Sequence, residues 1–314
     1  WHFAGRARAW HIATMTTAGD SDKGPFDRVL LRQRRDRAAA NFAAHSFLAR
    51  EVSARLAERL GDIKRRFPLA VDLACREGCL GDALAGRNGI ERLIQCDLSP
   101  AMVARASGPY RVVADEEWLP FAAASLDLVV SALSLHWVND LPGALIQIRR
   151  ALRPDGLFLG AIIGGDSLSE LRQALARAES ELEGGISPRI APFAEIRDLG
   201  GLLQRAGFAL PVVDSDVINV TYPDALALMR DLRGMGESNV LRQRRAGFTR
   251  RSTLLAAADH YRDMFGDDSG RIPATFQVLY LAGWCPHESQ QQALKPGSGE
   301  VSLAAALGES EAPG

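Results

Sequence analysis

The stretch that decides the fold is LAVDLACREGCLGDALAG, residues 69–86. Its first six residues are apolar apart from one acid and read as a buried strand, followed by a tight loop and a helix from about Leu80. Strand, loop and helix in that order are how a nucleotide-binding half-fold begins. Such a loop is normally rich in glycine, and here Arg76 and Glu77 stand where glycines are expected. Either the chain binds a nucleotide-like cofactor at this loop, or it keeps the fold without the ligand.

Working outward, short apolar runs alternate with amphipathic ones. Strands are expected at RLIQCD (92–97), YRVVAD (110–115), LDLVVSAL (126–133) and LFLGAII (157–163), the last entered through a turn at RPDG (153–156). Helices are expected at SPAMVARAS, with Ser99 as N-cap, at 141–152, at 167–183 and at 194–206, ended by Gly207. Nearly wholly apolar strands separated by such helices mean a parallel sheet covered on both faces. Two later β-like runs, 211–222 and 274–284, are suited to antiparallel pairing at the sheet's edge, and 224–266 between them reads as helical. Before the sheet, Asp27 to about Leu60 has a helical pattern with Phe42, Phe47 and Leu48 as core contacts.

Bulk properties narrow the function. The 314 residues suit one large domain or one domain with an insertion, and 47% hydrophobic residues are ample for a core. A formal net charge of −1 gives no global attraction to nucleic acid or anionic lipid. Basic character is local, in LRQRRDR (31–37) and LRQRRAGFTRR (241–251), which read as solvated helix faces, with partner binding as the alternative. No apolar run is long enough to span a bilayer, so the expectation is a soluble or peripheral protein. Four cysteines point to a reducing compartment, and the Cys75/Cys79 pair reads as buried small hydrophobes. The opening WHFAGRARAWHIAT resembles an Arg-rich transit peptide or upstream translation; a start at Met15 followed by a disordered leader is the preferred reading.

Ligands of open parallel sheets bind beyond the carboxyl ends of the strands, where the strand order reverses. Asp97 ends the second strand, 19 residues after Gly78, where a carboxylate can accept both hydroxyls of a ribose. Asp115 follows the third strand, with Glu116 beside it, and can accept from an adenine amino group or cap the next turn. SALSLHWVND (131–140) follows the fourth and faces the same mouth. Together these positions point to an adenosine-bearing ligand.

The segments VDLACREG, QCDLSPAM, VVADEEWLPF, LDLVVSALSLHWV and LRPDGLFL occur in the order found in class I S-adenosylmethionine (SAM) dependent methyltransferases, which residues 69–164 resemble strongly. The resemblance implies an α/β, Rossmann-like class I methyltransferase fold: a mainly parallel seven-stranded sheet with an antiparallel edge strand and a helical insertion. It carries SAM contacts onto Asp72, Ala74, Cys75, Gly78, Asp97, Leu98, Asp115, Glu116 and Ser134. The family's first loop runs Asp-x-Gly-Cys-Gly-x-Gly, so Ala74 and Arg76 replace its first two glycines while Gly78 keeps the third. Ala74 is expected to be tolerated; Arg76 is expected to point outward or to reach the methionine carboxylate of the cofactor. More narrowly, the chain resembles the methyltransferase-like assembly factors of respiratory complex I and their bacterial relatives. DRVLLRQRRDRAAANF, GGISPRIAPFAEIRDLGGLLQRAGF, MRDLRGMGESN and GWCPHESQQQALKPGS carry that likeness.

What the resemblance implies is a protein substrate, an iron–sulfur subunit of complex I, and arginine hydroxylation as an alternative to methylation. His136 is the candidate general base, against a packing or hydrogen-bonding role beside Trp137, and Asp140 is expected to cap helix 141–152. His45, His136, His260 and His287 are too scattered for a metal site to be assigned. A malonyl-carrier-protein carboxyl methyltransferase and a non-catalytic assembly chaperone are the other two readings. No nucleic-acid partner is expected, and the oligomeric state is left open. The organisation read from the sequence is a leader (1–26), a helical cap (27–66), a methyltransferase-like domain (67–284, with insertion 224–266) and a polar tail (285–314). The Arg-to-Lys ratio leans toward a bacterial cytoplasmic protein, at the membrane's inner face if peripheral, or on the matrix side if mitochondrial.

Overall fold

The structure is a computed structural model that describes residues 24–193, 195–245 and 247–291. The Met15 start and most of the expected leader and tail lie outside the described residues. Seven strands, β1 (Leu69–Leu73), β2 (Arg92–Asp97), β3 (Tyr110–Val113), β4 (Leu126–Ala132), β5 (Leu152–Ile163), β6 (Ala209–Tyr222) and β7 (Ile272–Trp284), form one sheet in the order β3-β2-β1-β4-β5-β7-β6. The first five run parallel; β7 is antiparallel to both β5 and β6, which puts β6 at the edge. The order reverses between β1 and β4, so a crevice opens beyond their carboxyl ends.

Residues of β5 alternate between two cores, as strand periodicity requires. Leu157, Leu159 and Ala161 face α2 (Phe47–Gly61), α6 (Ser169–Glu183) and α9 (Arg251–Phe265); Phe158 and Ile162 face α5 (Leu141–Ala151) and α7 (Ile196–Arg205). Short helices α3 (Cys79–Leu84) and α4 (Pro100–Val103) follow β1 and β2, and α8 (Ala225–Gly234) follows β6. Ser99 accepts from the Met102 amide at 3.1 Å and Asp140 from that of Gly143 at 2.9 Å, so both expected N-caps form.

Three expectations change. Residues 153–156 are part of β5, because Asp155 and Gly156 keep sheet-like hydrogen bonds to Cys285. The N-terminal helical region is α1 (Arg28–Ala38), a 3-10 segment and then α2, and Phe47 is 37% exposed while Phe42 and Leu48 are buried. The run 31–37 is not a solvated face throughout: α1 lies across the mouth of the sheet, and Arg35 is 0% exposed. Phe42 and Ala38 pack on Cys79 and Met102, which follow β1 and β2, so hydrophobic contacts seat the N-terminal segment there.

Candidate cofactor and acceptor site

The strand ends bring Asp97, the Asp115–Glu116 pair and Ser134 around one crevice. Asp97 is wholly buried; one carboxylate oxygen accepts from the Ser99 amide at 2.8 Å and the other from the Arg76 amide at 3.1 Å. Leu98 beside it is half-buried against the cluster of Trp137 and Phe26. Asp115 accepts from the Glu117 amide at 2.9 Å, the turn-capping alternative, and also meets Arg28. Glu116 and Ser134 are wholly buried and hydrogen-bonded to each other.

Two arginines of α1, which sequence reasoning left out of the site, complete it. Arg35 donates to Ser134 Oγ at 2.7 Å and to Glu116 at 3.1 Å, and its Nη1 lies 3.5 Å from Asp97. Arg28 donates to Asp115, Glu116 and the Trp137 carbonyl. Burial alone would raise the Glu116 carboxyl; Arg28 and Arg35 overcome it and hold Glu116 below the usual carboxylate range. Each guanidinium offers a planar fork of donors suited to this set of acceptors.

The loop after β1 keeps the backbone that glycines would favour. Ala74 has φ 63° and Arg76 φ 52°, both left-handed, and Gly78 has φ 97°. Arg76 neither points outward nor reaches toward solvent: it is 4% exposed and turned into the crevice. Its guanidinium donates to Leu133 O at 2.7 Å and Met235 O at 3.4 Å, pairs with Glu237, and lies 5.8 Å from the Phe42 ring centroid. Asp72 lies beneath, 1% exposed, with neither carboxyl oxygen hydrogen-bonded. Burial pushes its pKa up to about 7; the Gln95 side chain and Gly81 amide temper that rise without reaching hydrogen-bond geometry. The Cys75 and Cys79 thiols are free and buried, as expected of small hydrophobes.

Beyond Arg76 a cavity of about 330 Å³ opens between the sheet and helices α6, α8 and α9. His136 and Glu237 stand at its inner wall, with Phe193, Leu171 and Met235 among its apolar lining. His136 packs against Trp137 (5.1 Å between ring centroids) and Phe193 (5.5 Å). Its Nδ1 accepts weakly from the Ile163 amide at 3.5 Å, and its Nε2 lies 3.7 Å from Glu237. Burial depresses the His136 pKa, opposed by Glu237. Glu237 also accepts from the Trp137 indole. Among the described residues no group of three or more His, Cys, Asp and Glu is placed to hold a metal, and no described helix is long and apolar enough to cross a membrane.

A reversed parallel sheet with acceptors at three successive strand ends defines a SAM-dependent methyltransferase-like protein, and residues 71–160 match the methyltransferase domain family model. More particularly, the chain belongs to the family of the arginine-hydroxylase NDUFAF5 proteins. It is 48% identical over 284 residues to the mitochondrial protein of Homo sapiens, covering 88% of this chain and 82% of that one. To the Danio rerio protein it is 46% identical over 285 residues, covering 89% and 88%. A malonyl-[acyl-carrier protein] O-methyltransferase of Methylovorus sp. is 33% identical over 83% of this chain and 90% of its own. The fold also matches a Haemonchus contortus phosphoethanolamine N-methyltransferase 2 solved with S-adenosyl-L-methionine (TM-score 0.51, 16% identity, 82% of this chain and 60% of that one).

The acceptors present fit SAM, the cofactor of this domain class. Asp97, Glu116 and Ser134 are buried acceptors that take the N–H donors of Arg35, and Asp72 is a buried carboxyl without a partner. The space between those acceptors is held by Arg35, and Arg76 is buried in the loop after β1.

Proposed function

We propose that this protein uses a SAM pocket at the strand ends to modify a protein partner, and that the partner is an iron–sulfur subunit of respiratory complex I during assembly. The observation that carries the reading is the direct adjacency of the Asp97–Glu116–Ser134 acceptor set, through Arg76 and Glu237, to the cavity lined by His136. The extent of identity with the NDUFAF5 proteins supports the partner class.

In this reading Asp97, Glu116 and Asp115 receive the adenosine, Leu98 flanks it, and the backbone of Ala74, Cys75 and Gly78 with the carboxyl of Asp72 receives the methionine end. When bound, the cofactor supplies an electrophilic methyl group. Alignment of the acceptor supplies much of the rate in such a displacement. We assign His136 as a positioning residue: an Nε2–H directed at Glu237 orients that carboxylate toward the cavity, while Trp137 and Phe193 hold the ring. The apolar part of the cavity wall, with Leu171, Phe193 and Met235, offers packing to an entering side chain. Arginine hydroxylation, after the names of the NDUFAF5 relatives, is the alternative modification of the same partner. We place the protein in the bacterial cytoplasm at the inner face of the membrane, or on the matrix side if mitochondrial.

Two other readings have specific support. The identity with malonyl-[acyl-carrier protein] O-methyltransferases supports a carrier-bound carboxylate acceptor. Arg35 and Arg76 filling the crevice support a non-catalytic assembly factor. Incubating the purified protein in air with SAM, a reductant and either a complex I iron–sulfur subunit or malonyl-carrier protein, followed by intact-mass analysis, separates them. A gain of one methyl group supports the proposal, a gain of one oxygen the hydroxylase alternative. Methylation of malonyl-carrier protein alone, or no modification of any acceptor despite partner binding, overturns both.

A further inference from the structure

A second depression of about 510 Å³ lies between the N-terminal helical segment and α8 and carries an unusual charge pattern. Arg34 and Arg37, one turn apart on α1, form one wall; Arg230 and Arg233, one turn apart on α8, form the other. Among the described residues none of these four forms an ion pair. Arg34 donates to the Asn239 carbonyl and Arg230 to that of Leu226 at 3.4 Å. The acid on the same helix, Asp231, is already taken by His45 at 2.6 Å and Tyr222 at 2.7 Å. Burial, and then the like charges of Arg244, Arg37 and Arg233, depress the Arg34 pKa against the pull of Asp27. Cations gathered with only Asp27 to offset them repel one another, and an anion relieves that repulsion.

The groove also has a direction. Arg34, Arg233 and Ser238 line both it and the cavity that ends at His136 and Glu237. The other arginines at that cavity's mouth are committed: Arg189 to Glu179, Arg245 to Glu183, and Arg244 to Asp27 at 3.6 Å. Among the described arginines lining the groove and the cavity, the four of the groove are the ones without an ion pair.

We propose that this groove docks an acidic segment of the protein partner, its carboxylates pairing with Arg34, Arg37, Arg230 and Arg233 while an adjoining side chain enters the cavity toward His136. The proposal rests on the reading of a protein partner and names how that partner is recognised. Two pairs of guanidinium forks on facing helices suit several carboxylates spaced along one chain. Nucleic acid fits less well: no Phe, Tyr or Trp lines the groove to stack a base, and the whole chain has a formal charge of −1.

The test uses the full chain without cofactor and a fluorescein-labelled Glu/Gly peptide, followed by anisotropy at physiological salt. Arg37→Glu and Arg233→Glu alter exposed side chains, so folding is preserved and can be checked by thermal melting. Each is expected to weaken peptide binding by about tenfold or more, and the double variant to abolish it. Arg262→Glu, on α9 outside the groove, is expected to bind like the wild type. Equal binding by all variants, or equal loss in Arg262→Glu, overturns the proposal. So does complete displacement by inorganic pyrophosphate at concentrations where an acidic competitor peptide has no effect, which would mark a phosphate site. Binding of a single-stranded oligonucleotide with the same arginine dependence, and none of the peptide, also overturns it. Because the readout is independent of turnover, failure here leaves methyl transfer untouched, and an unmodified but peptide-binding protein refutes only the enzyme reading.

Discussion

Arg35 Nη1 lies 3.5 Å from the Asp97 carboxylate, and both residues are wholly buried. An adenosine that takes Asp97 as its ribose acceptor therefore has to displace an arginine of the chain's own first helix. Removing Arg35 leaves Asp97 without its cation and Glu116 with Arg28 alone. Arg35→Met is expected to cost about 3–5 kcal/mol of stability, the usual penalty for orphaning a buried charge. Adding Glu116→Gln is expected to recover part of it. In the same variant, S-adenosylhomocysteine is expected to raise the melting temperature by more than it raises that of the wild type. Equal ligand shifts in the two proteins would mean that Arg35 does not compete with the cofactor.

Asp72 supplies a pH signature. Its folded pKa, about 7, lies above the ordinary carboxyl value, so the folded state binds the extra proton between roughly pH 4 and 7. Its stabilising contribution is complete below the unfolded value and lost as pH rises through about 7. Asp72→Asn is therefore expected to be more stable than the wild type at pH 8 by several kcal/mol, because each tenfold change in proton affinity is worth about 1.4 kcal/mol. The difference is expected to vanish toward pH 4. Denaturant titrations at the two pH values measure it; a difference independent of pH would place the ionisation elsewhere.

The two substituted loop positions should respond oppositely to glycine. Ala74 has left-handed backbone geometry and a small side chain, so Ala74→Gly relieves strain and is expected to be neutral or stabilising by up to about 1 kcal/mol. Arg76→Gly relieves similar strain but removes the partner of Glu237 and the donor to Leu133 O, for an expected net loss of about 1–3 kcal/mol. Chemical denaturation of both variants decides whether contacts or the backbone dominate at Arg76.

His136 is expected to titrate below the ordinary histidine value, because burial outweighs its neighbour Glu237. Glu237→Gln should push the midpoint lower still, which NMR of the imidazole protons can follow. A folded pKa below the unfolded one means that this contribution is present at neutral pH and lost as pH falls through the two values. A midpoint that rises in Glu237→Gln would show that Glu237 does not support the protonated ring.

Local sequence determined the sheet and its mouth. Short, almost wholly apolar runs separated by amphipathic helices suffice for β1 to β5, and short-range chemistry sets Ser99 and Asp140 as caps. An acid at a strand end is likewise legible, because chain direction and strand order alone bring Asp97, Asp115 and Glu116 to one edge. Long-range packing decided the rest. Whether an arginine in LRQRRDR meets water or a carboxylate depends on where α1 lands, and that is set by Phe42 and Ala38 packing on Cys79 and Met102. Glu237 joins Arg76 and His136 across a sequence separation that no local pattern records. Tertiary structure alone decided that Arg35 holds the acceptors read as cofactor ligands, because a buried charge takes whichever opposite charges the fold brings within reach.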